Sequence, residues 1–307
     1  MRLGIITDEI AQDLAHALDV AREIGCLGVE LRSMWDTRID QLTPGRVREV
    51  RKLLEAHSLE CYNIAGPVFK CRLDSQRELA AHFDILKRCR DVAHELGCSS
   101  RNSLGDATAS PGVPRVRANA PTVRAFTFWR EPSVPLNRAW GKIVEQIARA
   151  AEVVADAGLT LAVENEYSVY VGGGVLLAKL LDGVEAARGT GRNVQAIWDP
   201  QNALFDADAE PPYPDGYEAV KNRIAFCHVK DGVVTAGGPK SVAVGEGDAK
   251  LAELIARLKG DGYDGYLSLE THWRPDEESD EEAVAGGGPE RGSRICMDNL
   301  RRLIAEA

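Results

Sequence analysis

The sequence is poor in aromatics, which make up 6% of its 307 residues, and it has no surplus of basic charge and no long apolar run. Against 37 Lys and Arg stand 47 Asp and Glu, a formal net charge of −10. A surface field of that sign repels phosphate backbones and anionic lipid, which argues against nucleic acid and membrane partners. The opening MRLGIITDEI has one basic residue and a short apolar stretch before Asp8 and Glu9 interrupt it. That is too short for a secretory signal or a membrane span. The 7 cysteines fall at 26, 61, 71, 89, 98, 227 and 296, with no CxxC pair and no repeating spacing. Neither a zinc knuckle nor a disulfide framework is encoded, and the expectation is a cytoplasmic protein with reduced, mostly buried thiols. A glycine-rich phosphate loop is also missing after the first strand, where Thr7, Asp8 and Glu9 stand, which weakens a dinucleotide-binding open sheet. The glycine triplets Gly172–Gly174 and Gly286–Gly288 fit neither GxGxxG nor a P-loop and read as flexible loop.

What is present is 44% apolar and 27% charged residues, the balance of a soluble globular chain. Short β-rich runs alternate with helical-period segments throughout. Strands are expected at 3–7, 28–32, 59–65, 123–128, 159–165, 194–199, 224–231 and 265–271. Leu14, Leu18, Ala21 and Ile24 line one helix face ahead of Gly25; Thr43 caps a second helix opened by Pro44, with Val47, Val50, Leu53 and Leu54 as its stripe. Further helices are expected at about 76–96, 136–157 and 293–305. Strand count and alternation give an α/β fold, a (β/α)8 TIM barrel forming a single domain over 1–307. Two segments depart from the repeat. Residues 99–122 read as an irregular insertion on the face away from the site, and 274–288 as an acidic loop on the site's own face. Asp276–Glu282 alone holds six carboxylates, so without it the net charge is −4.

Chemistry is suggested by where acids and histidine fall on the strands. Glu164, Asp199, His228 and Glu270 stand at or near the C-terminal ends of the fifth to eighth strands, where a barrel gathers its catalytic groups. Each has an ordinary reading alone: a helix cap for Glu164, a turn start for Asp199 before Pro200, a hydrogen-bonded core histidine for His228, an arginine partner for Glu270. Together, buried carboxylates are costly unless paired or bound to a cation. Three carboxylates around one imidazole suit Mn2+, Mg2+ or Co2+ better than a structural zinc.

The strings LAVENE (161–166), WDPQN (198–202), HVKD (228–231), LSLE (267–270) and VGEGD (244–248), with LGIITDEI and VELR (29–32), resemble the sugar phosphate isomerase/epimerase group of xylose isomerase-like barrels. The resemblance spans nearly the whole chain and omits the two irregular segments. It implies that Glu164, Asp199, His228 and Glu270 bind one divalent metal and that Glu164 and Glu270 are the catalytic acid/base pair. One position departs from the better understood epimerases, which carry histidine three residues after the metal aspartate; here it is Asn202, which can hydrogen-bond a hydroxyl but cannot shuttle a proton. Other polar candidates for the substrate are Asn63, Lys70, Asn165, Glu166, Lys230 and Glu246, and His272 could reach ligand or metal.

The implied reaction is proton transfer next to a carbonyl of a small-molecule carbohydrate, whether sugar, keto-sugar or sugar phosphate, through an enediolate. Return of the proton to the same carbon's other face is epimerisation, and return to the neighbouring carbon is isomerisation. Loss of a β-hydroxyl would make the protein a dehydratase of a keto-inositol-like substrate. An apurinic endonuclease shares the barrel but needs more metal-binding histidines and a basic face, whereas His16, His57, His82 and His94 fall on expected helices away from the mouth. A non-catalytic sugar-binding barrel is the remaining alternative, and any self-association is expected to be a homodimer paired through the helical shell.

Overall fold

The computed structural model describes residues 1–97, 121–188, 193–275 and 287–307. Eight parallel strands close on themselves: β1 (Arg2–Ile6), β2 (Gly28–Leu31), β3 (Glu60–Val68), β4 (Thr122–Ala125), β5 (Thr160–Glu164), β6 (Val194–Trp198), β7 (Ile224–Val229) and β8 (Tyr266–Leu269). Ladders run between consecutive strands, and closure is through β8 against β1, with Gly4 opposite Ser268. Helices α1 (Leu14–Glu23), α2 (Pro44–His57), α3 (Gln76–Glu95), α4 (Leu136–Ala155), α5 (Gly174–Arg188), α6 (Pro200–Phe205), α7 (Tyr217–Val220), α8 (Leu251–Gly260) and α9 (Gly288–Glu306) cover the outside. This is the (β/α)8 barrel that the strand count implied.

Local signals explain the helix positions. Asp13 caps α1 by accepting the His16 N–H, and Leu14, Ala17, Leu18 and Ala21 bury its inner face before Gly25 turns the chain at φ +77°. Thr43 caps α2 by accepting the Arg46 N–H, and Pro44 occupies the first turn, where its missing N–H costs nothing. On α4, Ile143, Ile147, Ala150 and Val154 are buried at helical spacing.

Most of the apolar core lies between strands and helices, while a second cluster of Tyr62, Ala162, Ile197, Phe226 and Tyr266 fills the barrel itself. Tyr62 stacks on Tyr266 at 3.9 Å, and Phe226 meets Tyr62 edge-on at 5.3 Å. Gly4 lies against this floor, since a Cβ there would sit 2.3 Å from the Tyr62 hydroxyl.

The strand ends differ from the sequence pattern in two places. The run expected at 123–128 leaves the ladder after Ala125: Phe126 N still donates to Val68 O, but Phe128 adopts φ +68° and Trp129 bridges Val169. The run expected at 224–231 ends at Val229, and Asp231–Thr235 pairs instead with Gly238–Val242 as an antiparallel hairpin. Nor is the Gly172–Gly174 segment a loose loop. A Cβ on Gly172 would fall 1.9 Å from Asp206 Oδ2 and one on Gly174 2.2 Å from Gly216 O, so both glycines serve close backbone approach. The insertion expected at 99–122 lies outside the described residues up to 120, and Thr122 already belongs to β4; the acidic loop at 274–288 is outside them over 276–286.

All 6 described cysteines are free and buried. Burial pushes the thiol of Cys296 up to about 11 and that of Cys26 to about 12, as expected of inert packing groups. Among the described residues no helix is long and apolar enough to cross a membrane.

Candidate metal centre

Glu164 ends β5, Asp199 follows β6, His228 is the penultimate residue of β7 and Glu270 follows β8. Adjacent strands of the barrel therefore deliver these side chains to its C-terminal mouth, each 4% exposed or less. One ligand atom from each lies within 4.8 Å of all the others. His228 Nδ1 is 3.0 Å from Glu164 Oε1, 3.3 Å from Glu270 Oε2 and 3.8 Å from Asp199 Oδ2. Asp199 is split by function: Oδ1 accepts the Asn202 N–H and starts α6, whereas Oδ2 is buried without a well-directed hydrogen bond. Its nearest counter-charge is Lys230 Nζ at 2.9 Å, an ammonium that also lies 2.7 Å from Glu270 Oε2.

The opposite edge of His228 is held by Glu30, which the sequence reading did not single out. Glu30 is 0% exposed on β2, and its carboxylate lies 3.1 Å from His228 Nε2. Asn63 Nδ2 donates to it at 2.6 Å, and Tyr62 OH donates to Ser268 Oγ, which donates to Glu30 in turn. A carboxylate on Nε2 fixes a proton there, so that the neutral imidazole would turn its Nδ1 lone pair to the three acids, the arrangement typical of a metal-ligating histidine.

Arg124 is the second residue missed. From β4 its Nη1 donates to Glu164 Oε2 at 3.1 Å and lies 4.0 Å from Glu270 Oε1, while Nη2 donates to Ala65 O at 2.8 Å. Arg32 adds a bond to Glu270 Oε1 at 3.2 Å and pairs with Asp8 and Glu9. Glu30 and Arg124 were both visible as charges inside fully buried strand runs, GVEL and TVRA, whose cost demands partners.

The charges do not balance. Around His228 four buried carboxylates, Glu30, Glu164, Asp199 and Glu270, face two buried fixed cations, Arg124 and Lys230. The shortfall of two positive charges is the charge of one divalent ion, and in its absence a proton on His228 supplies half. Burial works against a charged His228, yet Glu30, Glu164 and Glu270 overcome it and raise its pKa well above the ordinary range. Burial likewise opposes ionisation of Glu164, but His228 and Arg124 bring it down to about 2. Glu270, opposed by burial and held by Lys230 and His228, is also lowered, whereas burial raises Asp199 despite Lys230. The donor set of three carboxylates and one imidazole, the unbonded Asp199 Oδ2 and the missing charge all fit a divalent cation.

The remaining sequence candidates divide by position. Asn63 spends its amide on Glu30 and Thr122. Asn165 donates to Gly172 O and Asp199 O and accepts the Asp199 N–H, so it locks β5 to β6. Asn202 Nδ2 donates to Asn165 O at 2.9 Å and lies 3.4 Å from Glu164 Oε1. Lys70 and Glu166 form a rim pair at 3.8 Å, and Glu166 also accepts from Ser168. His272, on the exposed side, lies 3.6 Å from Glu270 Oε1. Glu246 is exposed on a loop clamped by Asp231, which accepts the N–H groups of Gly232, Gly245, Gly247 and Ala249.

A family model described as xylose isomerase-like TIM barrel matches residues 18–291. No curated protein matches the chain. Among solved structures, the IOLI protein with a bound zinc atom superposes with a TM-score of 0.71 at 14% identity, covering 100% of this chain and 99% of that one. The 3-keto-D-glucoside 4-epimerase of E. coli gives 0.66 at 13% identity over 99% of both chains. The D-allulose 3-epimerase of Methylomonas sp., in complex with D-allulose, gives 0.62 at 17% identity over 88% of this chain and 83% of that one. At such identities the likeness is one of fold.

Proposed function

The chain belongs to the xylose isomerase-like TIM barrel family, and from that premise we propose that it is a divalent-metal-dependent isomerase or epimerase of a carbohydrate. The observation that carries this reading is the convergence of Glu164, Asp199, His228 and Glu270 in a pocket short of two positive charges. Sugar epimerases with the same fold support it. Mn2+, Mg2+ or Co2+ would be held by these four side chains. When bound, the cation acts as a Lewis acid on the substrate carbonyl and its neighbouring hydroxyl.

The chain's own groups do the rest. Glu164 and Glu270 approach the centre from β5 and β8 as carboxylates, the form that accepts a proton, but the cations beside them lower their basicity, so proton removal needs a carbon acid activated next to a polarised carbonyl. Arg124 spans the two and restrains their angle of approach. Lys230, at Glu270 Oε2, is placed to donate to a developing enediolate oxygen. The proton returns to the opposite face in an epimerase and to the adjacent carbon in an isomerase.

The test is a solvent-deuterium exchange screen of ketoses, inososes and their phosphates with the Mn2+-loaded protein. Deuterium should enter the carbon next to the carbonyl without loss of water, and Glu270→Gln should abolish entry. Full activity in metal-free protein, or a product lighter by one water, contradicts the proposal.

A further inference from the structure

The C-terminal ends of β3, β4 and β5 build an outer wall that continues from the metal centre. Arg124, bonded to Glu164, lies with its guanidinium carbon 4.9 Å from the Phe126 ring centroid. Lys70 Nζ lies 4.3 Å from the same ring centroid and 5.6 Å from that of Trp129. The Lys70 ammonium pairs with Glu166, two residues beyond Glu164. Trp129 and Tyr167, 36% and 43% exposed, stand on two loops cross-linked by the Trp129–Val169 bridge. Tyr167 is braced edge-on by Phe205 at 5.8 Å. Large aromatics left open beside a polar pair, at the edge of a buried polar centre, offer apolar surface that a ligand can cover.

The ionic state of this rim points to a substrate class. Among the described residues, the basic side chains ringing the centre are already matched: Arg32 with Asp8 and Glu9, Lys70 with Glu166, Arg124 with Glu164, Arg130 with Asp206, Lys230 with Asp199, and Arg274 with Glu9. The N-termini of α5 and α6, two further anion sites beside this wall, are taken as well. Gly174 and Val175 at the start of α5 donate to Glu210, and Asn202 at the start of α6 donates to Asp199. A phosphate entering here would have to strip a carboxylate from its partner and then lie beside that carboxylate. A neutral sugar needs neither. Its C–H face matches an indole or phenol ring, and its hydroxyls match a lysine donor beside a glutamate acceptor.

We propose that Lys70, Trp129, Glu166 and Tyr167 form the subsite for the distal part of an uncharged carbohydrate, so that the protein prefers a free sugar, keto-sugar or glycoside to a sugar phosphate. The inference rests on the isomerase reading only in taking a carbohydrate to be what reaches the centre. Saturation-transfer NMR on the Mg2+-loaded full chain tests it with two matched pairs, D-fructose against D-fructose 6-phosphate and D-ribulose against D-ribulose 5-phosphate. The neutral member should bind more tightly in each pair, and Trp129→Ala should weaken it about fivefold while Trp129→Phe largely keeps it. Lys70→Met should weaken the neutral sugars without making the phosphates worse relative to them. Tighter binding of the phosphate esters, no binding by either neutral ketose, or indifference to Trp129→Ala in a variant that melts like the wild type would each overturn it. A deuterium arm keeps the two readings apart. Trp129-dependent binding without exchange contradicts the isomerase and leaves the subsite, whereas exchange into phosphates alone leaves the isomerase and removes the subsite.

Discussion

Replacing Glu30 by glutamine would change one atom of a residue that does not belong to the four-ligand set. In the wild type both Glu30 oxygens accept, one facing His228 Nε2 and Ser268, the other Asn63 Nδ2. Glutamine offers one acceptor. If its oxygen keeps Asn63, its NH2 faces Nε2, and the imidazole must accept there and carry its proton on Nδ1. That proton occupies the lone pair the metal needs. Loss of such an outer partner costs about 10- to 100-fold in metal affinity. With free Mn2+ about 100-fold above the wild-type Kd, binding stabilises the native state by about 2.7 kcal/mol; the same concentration would give the variant about 1.4 to about 0.4 kcal/mol. In the metal-free protein the same change relieves one of four crowded carboxylates but removes the one that faces the His228 imidazolium at 3.1 Å, so the metal-free stability of each protein is the reference for its own metal effect. Urea unfolding with and without Mn2+, together with calorimetric titration, measures both quantities. A wild-type Kd in Glu30→Gln would refute the reasoning about His228.

Other consequences follow from the same network. Because its neighbours raise the pKa of His228, the metal-free protein carries an imidazolium at neutral pH that the metal must displace, so affinity should rise about tenfold per pH unit below that pKa. Calorimetry in two buffers of different ionisation enthalpy should then show about one proton released per ion, and none released would contradict it. Lys230→Met leaves Asp199 and Glu270 facing each other without their ammonium; unfolding in urea should show a loss of about 3–5 kcal/mol without metal and a smaller loss with it. Asp231→Ala strands four backbone N–H groups, those of Gly232 and of Gly245, Gly247 and Ala249 in the neighbouring loop. A loss of about 2–4 kcal/mol is expected, and an unchanged midpoint would show the clamp to be idle.

The barrel was legible because each strand is a short apolar run closed by turn residues and followed by a helix-period stripe. Glu164, Asp199, His228 and Glu270 were legible for a related reason: at strand ends a carboxylate or imidazole has no solvent to justify it. Glu30 and Arg124 obey the same physics and, like His228, are penultimate in their strands, but GVEL and TVRA are so short that a single charge among apolar residues passes for alternation. The orientation of amides was beyond sequence. Asn63 and Asn165 look equally able to meet a substrate or a neighbour, and only the fold, by placing Glu30 and Asp199 beside them, settles where their hydrogen bonds go. Gly172 and Gly174 read as slack because the groups that need their missing Cβ atoms, Asp206 and Gly216, arrive from another connection.

Anomalous diffraction from a crystal soaked in Mn2+ reads the metal centre directly. One peak per chain is expected, bounded by Glu164, Asp199, His228 Nδ1 and Glu270 at about 2.0–2.4 Å, and no peak there in Asp199→Asn. A peak elsewhere, or none at this centre with Lys230 still bridging Asp199 and Glu270, would contradict it.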